Sequence, residues 1–158
     1  MVAKMTRNID EGILVKIVGR SKKLSRFVLG ALAASLLFDL SGMTFGFFYE
    51  GIFLDNLAHF LTSFAFVALV TEIAQHRGRL PLLVPSRRAL VVGAVVGFIG
   101  GGVWEIVEVI ADFLLPVLIY NPPLDTVLDM MFGSLGGAVG AWRTASYLNR
   151  KPFRSSLR

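Results

Sequence analysis

The chain has 158 residues, of which 54% are hydrophobic and only 17% are charged, and its mean hydropathy is +0.67. This balance excludes an ordinary soluble domain and predicts one compact membrane domain with several helices. The net charge of +5 comes from Lys and Arg confined to residues 1–26, 77–88 and 143–158. Because basic residues at these positions flank apolar runs, we expect contact with lipid headgroups and no nucleic-acid partner. The chain has no cysteine, which excludes disulfides and thiolate metal ligands.

The first segment, residues 1–26, is basic and amphipathic. Ile13 and Ile17 recur at helical spacing on the side opposite Lys16 and Arg20, which is typical of a helix lying on the inner leaflet. A frayed basic tail is the alternative interpretation.

Four apolar runs follow, at residues 27–47, 57–74, 89–110 and 124–148. Each is near the roughly 20 residues that a helix needs to cross the hydrocarbon. We therefore predict an all-α bundle of four transmembrane helices over 27–148, followed by a basic tail at 149–158. The positive-inside bias then places both termini in the cytoplasm, in a multi-pass protein of a prokaryotic cell membrane.

Glycine spacing predicts how these helices pack. Gly93, Gly97 and Gly101 repeat every four residues in the third run, and Gly133 and Gly137 do so in the fourth. Such faces let helix backbones approach closely, either inside the bundle or between the subunits of a homo-oligomer.

Nine of the eleven carboxylates lie between the three basic blocks. A carboxylate inside an apolar run has no Lys or Arg near it in sequence, and an isolated buried charge is costly. These acids therefore need protons, water, His59 or a metal ion. Glu72 and His76 lie near the cytoplasmic end of the second run, where we expect water to solvate them.

The other acids are predicted to lie at about the same depth in the membrane. Asp55 and His59 are one helical turn apart at the outer start of the second run, and Asp125 and Asp129 repeat that spacing in the fourth. A rise of about 1.5 Å per residue brings three further acids to the same outer layer, namely Asp39, Glu105 and Glu108.

Repulsion among so many carboxylates favours a bound divalent cation. We predict Asp55, His59, Asp125 and Asp129 as its ligands. Oxygen-rich ligation with one imidazole favours Mg, Mn or Ca and permits Fe or Zn. We expect no other cofactor. Asp55 and Asp125 could instead be helix N-terminal acids wetted at the membrane surface.

Three short motifs carry a family resemblance. They are Asp55-Asn56-Leu57-Ala58-His59-Phe60, Val103-Trp104-Glu105-Ile106-Val107-Glu108 and Asp125-Thr126-Val127-Leu128-Asp129-Met130, followed by Gly136-Gly137-Ala138-Val139-Gly140. In this order they resemble the YjdF-like family of small, uncharacterised prokaryotic membrane proteins, and more loosely the VanZ-like proteins. The resemblance implies that the acids and His59 are the family's polar signature, but it implies no activity.

Our leading functional hypothesis is a metal-dependent membrane enzyme that acts on a lipid headgroup or a lipid-linked phosphate. In it, Glu105 is the catalytic general base and Glu108 supports it. One alternative is a cation- or proton-coupled transporter, which requires a polar route continuing inward. A second alternative is a structural or partner-binding subunit. A cavity that opens sideways to lipid would favour the enzyme over the transporter.

Overall fold

The computed structural model describes residues 23–46, 52–76, 87–114 and 123–150, and within them the chain forms four α-helices. Helix α1 is Arg26–Phe45, α2 is Ile52–His76, α3 is Arg87–Leu114 and α4 is Pro123–Arg150. These bounds confirm the predicted all-α bundle, with helix ends that differ from the predicted runs by a few residues. Residues 1–22, nearly all of the predicted amphipathic segment, and residues 151–158 of the predicted tail lie outside the described residues.

Three of these helices are long and apolar enough to cross a membrane: Arg26–Phe45, Phe53–His76 and Arg87–Ala111. Their outward surfaces are apolar, with large exposed side chains such as Leu37 and Val109. Helix α4 is 28 residues long, but its acidic residues and Arg143 make it less apolar. That α4 also spans the membrane stays a prediction, as does the cytoplasmic placement of the termini.

The helices follow one another in space in the order α1, α2, α4, α3. Helix α4 packs extensively against both α2 and α3, and α1 packs against α2. Helices α2 and α3 touch over a shorter length, and α1 and α3 make no extensive contact within the described residues. The bundle is therefore open on the side between α1 and α3.

Glycines on two faces of α4 allow this packing. A Cβ atom at Gly137 would collide with the carbonyl oxygen of Gly93 in α3, and one at Gly136 would collide with the carbonyl oxygen of Phe60 in α2. Gly140 lies in the same way against Phe64. Since backbones approach this closely only where side chains are absent, these glycines serve contacts within the chain. A homo-oligomer stays a prediction.

The start of α1 is fixed to the end of α2. Ser25 caps α1, and its backbone N–H and its hydroxyl each donate a hydrogen bond of 2.7 Å to the two carboxylate oxygens of Glu72. His76 Nε2 lies 3.6 Å from Glu72 Oε1. Nearby, the ring of Phe27 stacks on Tyr147 of α4 with centroids 5.4 Å apart.

Glu72 is only 1% exposed, so the expectation that water solvates it is wrong. The cause is a contact across 47 residues of sequence, in which the carboxylate accepts from the donors that a helix N-terminus leaves without a partner.

The two glycine faces predict a stability difference between matched variants. Gly137→Ala should lower the free energy of unfolding by about 1–3 kcal/mol, because its Cβ meets the backbone of α3. Gly30→Ala is the control, since nothing lies within 4 Å of a Cβ there; it should have no destabilising effect. Unfolding of both variants in detergent micelles, followed by circular dichroism, measures the difference. Equal stability would contradict the close packing of α3 on α4.

The Ser25 to Glu72 contact predicts a second difference. Ser25→Ala removes one donor from a buried carboxylate and the cap from α1, and should cost about 1–3 kcal/mol of stability. Ser41→Ala is the matched control, because the Ser41 hydroxyl only donates to Phe38 O in its own helix. The same unfolding measurement applies, and an equal effect of the two substitutions would count against the contact.

Candidate carboxylate and histidine site

The site begins at the first turns of α2. Asp55 and His59 lie one turn apart on the same side of the helix, where i and i+4 side chains are neighbours. His59 is 8% exposed, and its Nε2 lies 3.9 Å from Asp55 Oδ1. The imidazole is thus held inside the bundle beside a half-buried carboxylate.

Helix α4 supplies the third member of the group. Asp129 Oδ1 lies 3.7 Å from His59 Nε2, and the Asp129 side chain is 0% exposed. Neither of its carboxylate oxygens has a hydrogen-bond partner within the described residues. Asp55, His59 and Asp129 each offer one ligand atom, and these atoms lie within 4.8 Å of one another. We call these three residues the DHD cluster.

Two further acids adjoin the DHD cluster. Glu105 of α3 is buried, and its Oε2 accepts a hydrogen bond of 2.8 Å from the hydroxyl of Thr126 in α4, while its Oε1 has no partner within the described residues. Asp125 also has a buried oxygen without a described partner. Both acids interact electrostatically with Asp129 and Asp55, so negative charge is concentrated where α2, α3 and α4 meet.

Glu108 and Asp39 lie at the edge of this region and already have hydrogen-bond donors. Glu108 Oε1 accepts from Trp104 Nε1 at 2.7 Å, within α3. Asp39 Oδ2 accepts from Thr62 Oγ1 at 2.9 Å and from Ser35 Oγ at 3.3 Å. These donors satisfy part of the two carboxylates' hydrogen-bonding capacity without a cation.

The structure therefore divides the residues that the sequence singled out. It brings Asp55, His59 and Asp129 into one group. Asp125 lies near enough to interact electrostatically, but it is outside the cluster whose ligand atoms could meet at one ion. Glu105 contacts α4 through Thr126, whereas Glu108 lines the cavity beside Asp55 and His59.

Sequence reasoning missed the donors to the acids. Thr126, Thr62 and Trp104 each donate to a carboxylate. Trp104 and Glu108 are i and i+4, a spacing that could have revealed their contact. Thr62 and Thr126 bond across helices, so no local pattern indicates them.

A cavity of about 660 Å³ adjoins the DHD cluster on the open side of the bundle. It lies between α1, α2 and α3. Its polar residues extend from Asp55 and His59 to Thr62 and Asp39. The rest of the wall is apolar, including Met43, Phe66, Val96, Ile99 and Val103. Because α1 and α3 do not pack extensively on each other, the cavity is a groove that opens sideways between them.

The buried side of α2 beyond Ser63 is apolar. Between Ser63 and Thr71, the buried residues of α2 are Ala65, Val67 and Ala68. In this stretch α4 also packs on the α2 backbone through Gly140. Within the described residues, therefore, α2 offers no continuous row of buried polar groups from His59 to Glu72.

Comparison with known proteins identifies the family. A family model described as "Predicted membrane protein (DUF2238)" matches residues 13–150. The chain belongs to this family. The DUF2238 description supports a membrane location and names no activity.

A relative of this DUF2238 protein occurs in Thermotoga maritima, where it is described as "Uncharacterized protein". It is 35% identical over 91 residues, which are 56% of this chain and 46% of the relative. The match thus spans about half of the relative's length. No solved structure matches the chain.

Proposed function

We propose that this DUF2238 protein holds a divalent metal ion at the DHD cluster and uses it to act on a lipid headgroup or a lipid-linked phosphate. The observation that carries the proposal is Asp129, a carboxylate that is 0% exposed and has no hydrogen-bond partner for either oxygen within the described residues. A buried, unsatisfied carboxylate is expensive. A cation between Asp129, His59 and Asp55 removes that cost.

The spacing of the DHD cluster supports a shared ion. Two ligand atoms that each lie about 2.0–2.6 Å from one ion are separated by at most about 5 Å. The distances from His59 Nε2 to the two Asp oxygens, 3.9 Å and 3.7 Å, are within that limit. Two carboxylates and one imidazole suit Mn, Fe or Zn, while Mg or Ca would need further oxygen ligands from water or Asp125.

The position of the site supports a lipid substrate. The DHD cluster lies where α2 and α4 begin and α3 ends, and the adjoining groove opens between two helices that are apolar enough to cross a membrane. A lipid can reach such a site from within its own leaflet. When bound, the metal would polarise a phosphoryl oxygen and lower the pKa of a coordinated water.

The acids of α3 have separate parts in this proposal. Glu105 adjoins the DHD cluster, is buried and has one oxygen without a described hydrogen-bond partner, which suits a general base that receives a proton from water. Thr126 orients it through the other oxygen. Glu108 lines the groove and is held by Trp104, so it supports the site at the side from which a substrate enters.

Transport is the weaker alternative. It needs polar groups continuing through the bundle, yet the buried residues of α2 between Ser63 and Thr71 are apolar. A purely structural role leaves the unsatisfied oxygens of Asp129 without an explanation.

We also propose that the protein is a YjdF-like, multi-pass protein of a prokaryotic cell membrane with cytoplasmic termini. The three apolar helices and the position of Lys and Arg at the flanks of the apolar runs support this proposal.

Metal content is the first test. Protein purified in detergent and dialysed without chelator should contain one divalent ion per chain by elemental analysis. Asp129→Asn and His59→Ala should each lose most of it. Removing a side chain that only hydrogen-bonds to a metal ligand costs about 10–100-fold in metal affinity, and removing a ligand costs more. Asp39→Asn is the matched control and should keep the ion, since the Asp39 carboxylate is already hydrogen-bonded by Thr62 and Ser35. Equal metal content in all variants, or none in the wild type after Mn²⁺ is supplied, would contradict the proposal.

The general base is tested by turnover of a defined lipid. Wild-type protein loaded with Mn²⁺ should release inorganic phosphate from phosphatidic acid in mixed micelles. Glu105→Gln should reduce the rate by about 10²–10⁴-fold, the usual contribution of a general base, while leaving the metal content intact. Glu108→Gln serves as the comparison and should have a smaller effect. An unchanged rate in Glu105→Gln would remove the base assignment, and no release by metal-loaded wild type would count against phosphatidic acid hydrolysis.

A further inference from the structure

The groove between α1 and α3 has a polar end and an apolar length. At one end it is lined by Asp55, His59 and Glu108. Asp39 and Thr62 lie partway along, and the remaining wall is formed by apolar side chains such as Phe66, Val96 and Ile99. Both of its outer walls belong to helices that are apolar enough to cross a membrane. We propose that the groove is the binding site for one acyl chain of a membrane phospholipid, whose headgroup then lies at the DHD cluster. This deepens the proposed function and rests on it for the role of the headgroup.

The length of the groove fits one leaflet. Along α2 it runs from Asp55 to Phe66, and along α3 from Glu108 back to Val96. These intervals are eleven and twelve residues of helix, or about 17–18 Å at about 1.5 Å per residue. Half of a hydrocarbon core about 30 Å thick is about 15 Å. An acyl chain whose headgroup is at the acidic end therefore reaches the other end of the groove near the bilayer midplane.

The chemistry of the walls selects an acyl chain over water. Apart from Asp39, Thr62 and Ser63, the walls beyond the DHD cluster are apolar and offer a water column few hydrogen bonds. An acyl chain packs against such walls and needs no hydrogen bonds. The chain does not have to leave the bilayer to enter, because the groove is open between α1 and α3. The acyl chain of a phospholipid in the adjoining leaflet thus exchanges one apolar surrounding for another, while the headgroup binds at the DHD cluster.

Gly100 keeps the groove wide. Its neighbour one turn earlier, Gly97, lies against Gly133 of α4 and is needed for helix packing, but a Cβ at Gly100 would meet nothing within 4 Å. Gly100 nevertheless lines the groove. A side chain added there projects into the space of the acyl chain and leaves the contacts between helices unchanged.

The test is photolabelling in the full-length protein. Wild type, Gly100→Phe and Gly30→Phe are reconstituted into phosphatidylcholine vesicles that contain phosphatidic acid with a diazirine midway along one acyl chain. After irradiation, mass spectrometry locates the labelled residues. Gly30 is the matched control, because it is exposed on α1, a Cβ there also meets nothing within 4 Å, and it does not line the groove.

We expect label on groove residues such as Phe66 and Ile99 in the wild type and in Gly30→Phe. In Gly100→Phe this label should fall by about tenfold, which corresponds to about 1.4 kcal/mol of binding free energy. Label on outward residues such as Leu37 should stay unchanged. Met43→Trp, on the opposite wall of the groove, should give the same loss. If the groove residues remain unlabelled in the wild type, or are labelled equally in all variants, the acyl-chain site is wrong.

Metal content of the same preparations separates this proposal from the proposed function. Gly100→Phe should keep its ion, because it does not touch the DHD cluster. Groove labelling in a wild type that holds no metal would support the acyl-chain site and overturn the metal centre. A retained ion without groove labelling would do the reverse. A diazirine-bearing free fatty acid is run beside the phospholipid; equal groove labelling by the two would overturn the assignment to a phospholipid.

Discussion

The close approach of α4 to two other helices is the constraint on which the remainder of the fold depends. In lipid, apolar side chains gain nothing by leaving one apolar surrounding for another, so helices associate where their backbones can come near. Gly136 and Gly140 allow this against α2, and Gly133 and Gly137 allow it against α3. The two faces together set the rotation of α4 about its own axis. That rotation turns Asp129 toward His59 and places Thr126 against Glu105, so the packing glycines also determine the composition of the DHD cluster.

The same packing leaves α1 apart. It contacts α2 chiefly, and it is fixed at its start by the Ser25 to Glu72 contact and by the stacking of Phe27 on Tyr147. Farther along, the hydroxyls of Ser35 and Thr62 and the carboxylate of Asp39 connect it to α2. Since neither set of contacts involves α3, the groove between α1 and α3 is a consequence of which helices carry glycine on their inner faces.

Sequence alone predicted the helices and part of the site, for reasons that are local. Long apolar runs flanked by Lys and Arg residues predict the helix positions. The spacing of Asp55 and His59 places both on one side of α2. The predicted depth of Asp129 in the membrane, equal to that of Asp55 and His59, was enough to predict that it lies near them. Depth could not distinguish Asp129 from Asp125, or Glu105 from Glu108, because the neighbours of each side chain depend on how the helices are rotated and packed. The burial of Glu72 by Ser25 could not be predicted either, since its partner lies 47 residues away and no periodicity connects them.

The placement of α4 also bears on how the protein enters the membrane during synthesis. Helix α4 is the last of the four along the chain and is less apolar than the others. An Asp at the centre of an isolated helix costs about 2.5–3.5 kcal/mol to insert, which is an upper limit for Asp129 near the start of α4. Asp129 is enclosed only when α2 and α3 are already beside it. Helices α2 and α3 precede it on the ribosome, so they can receive α4 as it emerges. If α4 spans the membrane as predicted, the least hydrophobic helix of the bundle is also the one whose insertion can be assisted by its neighbours.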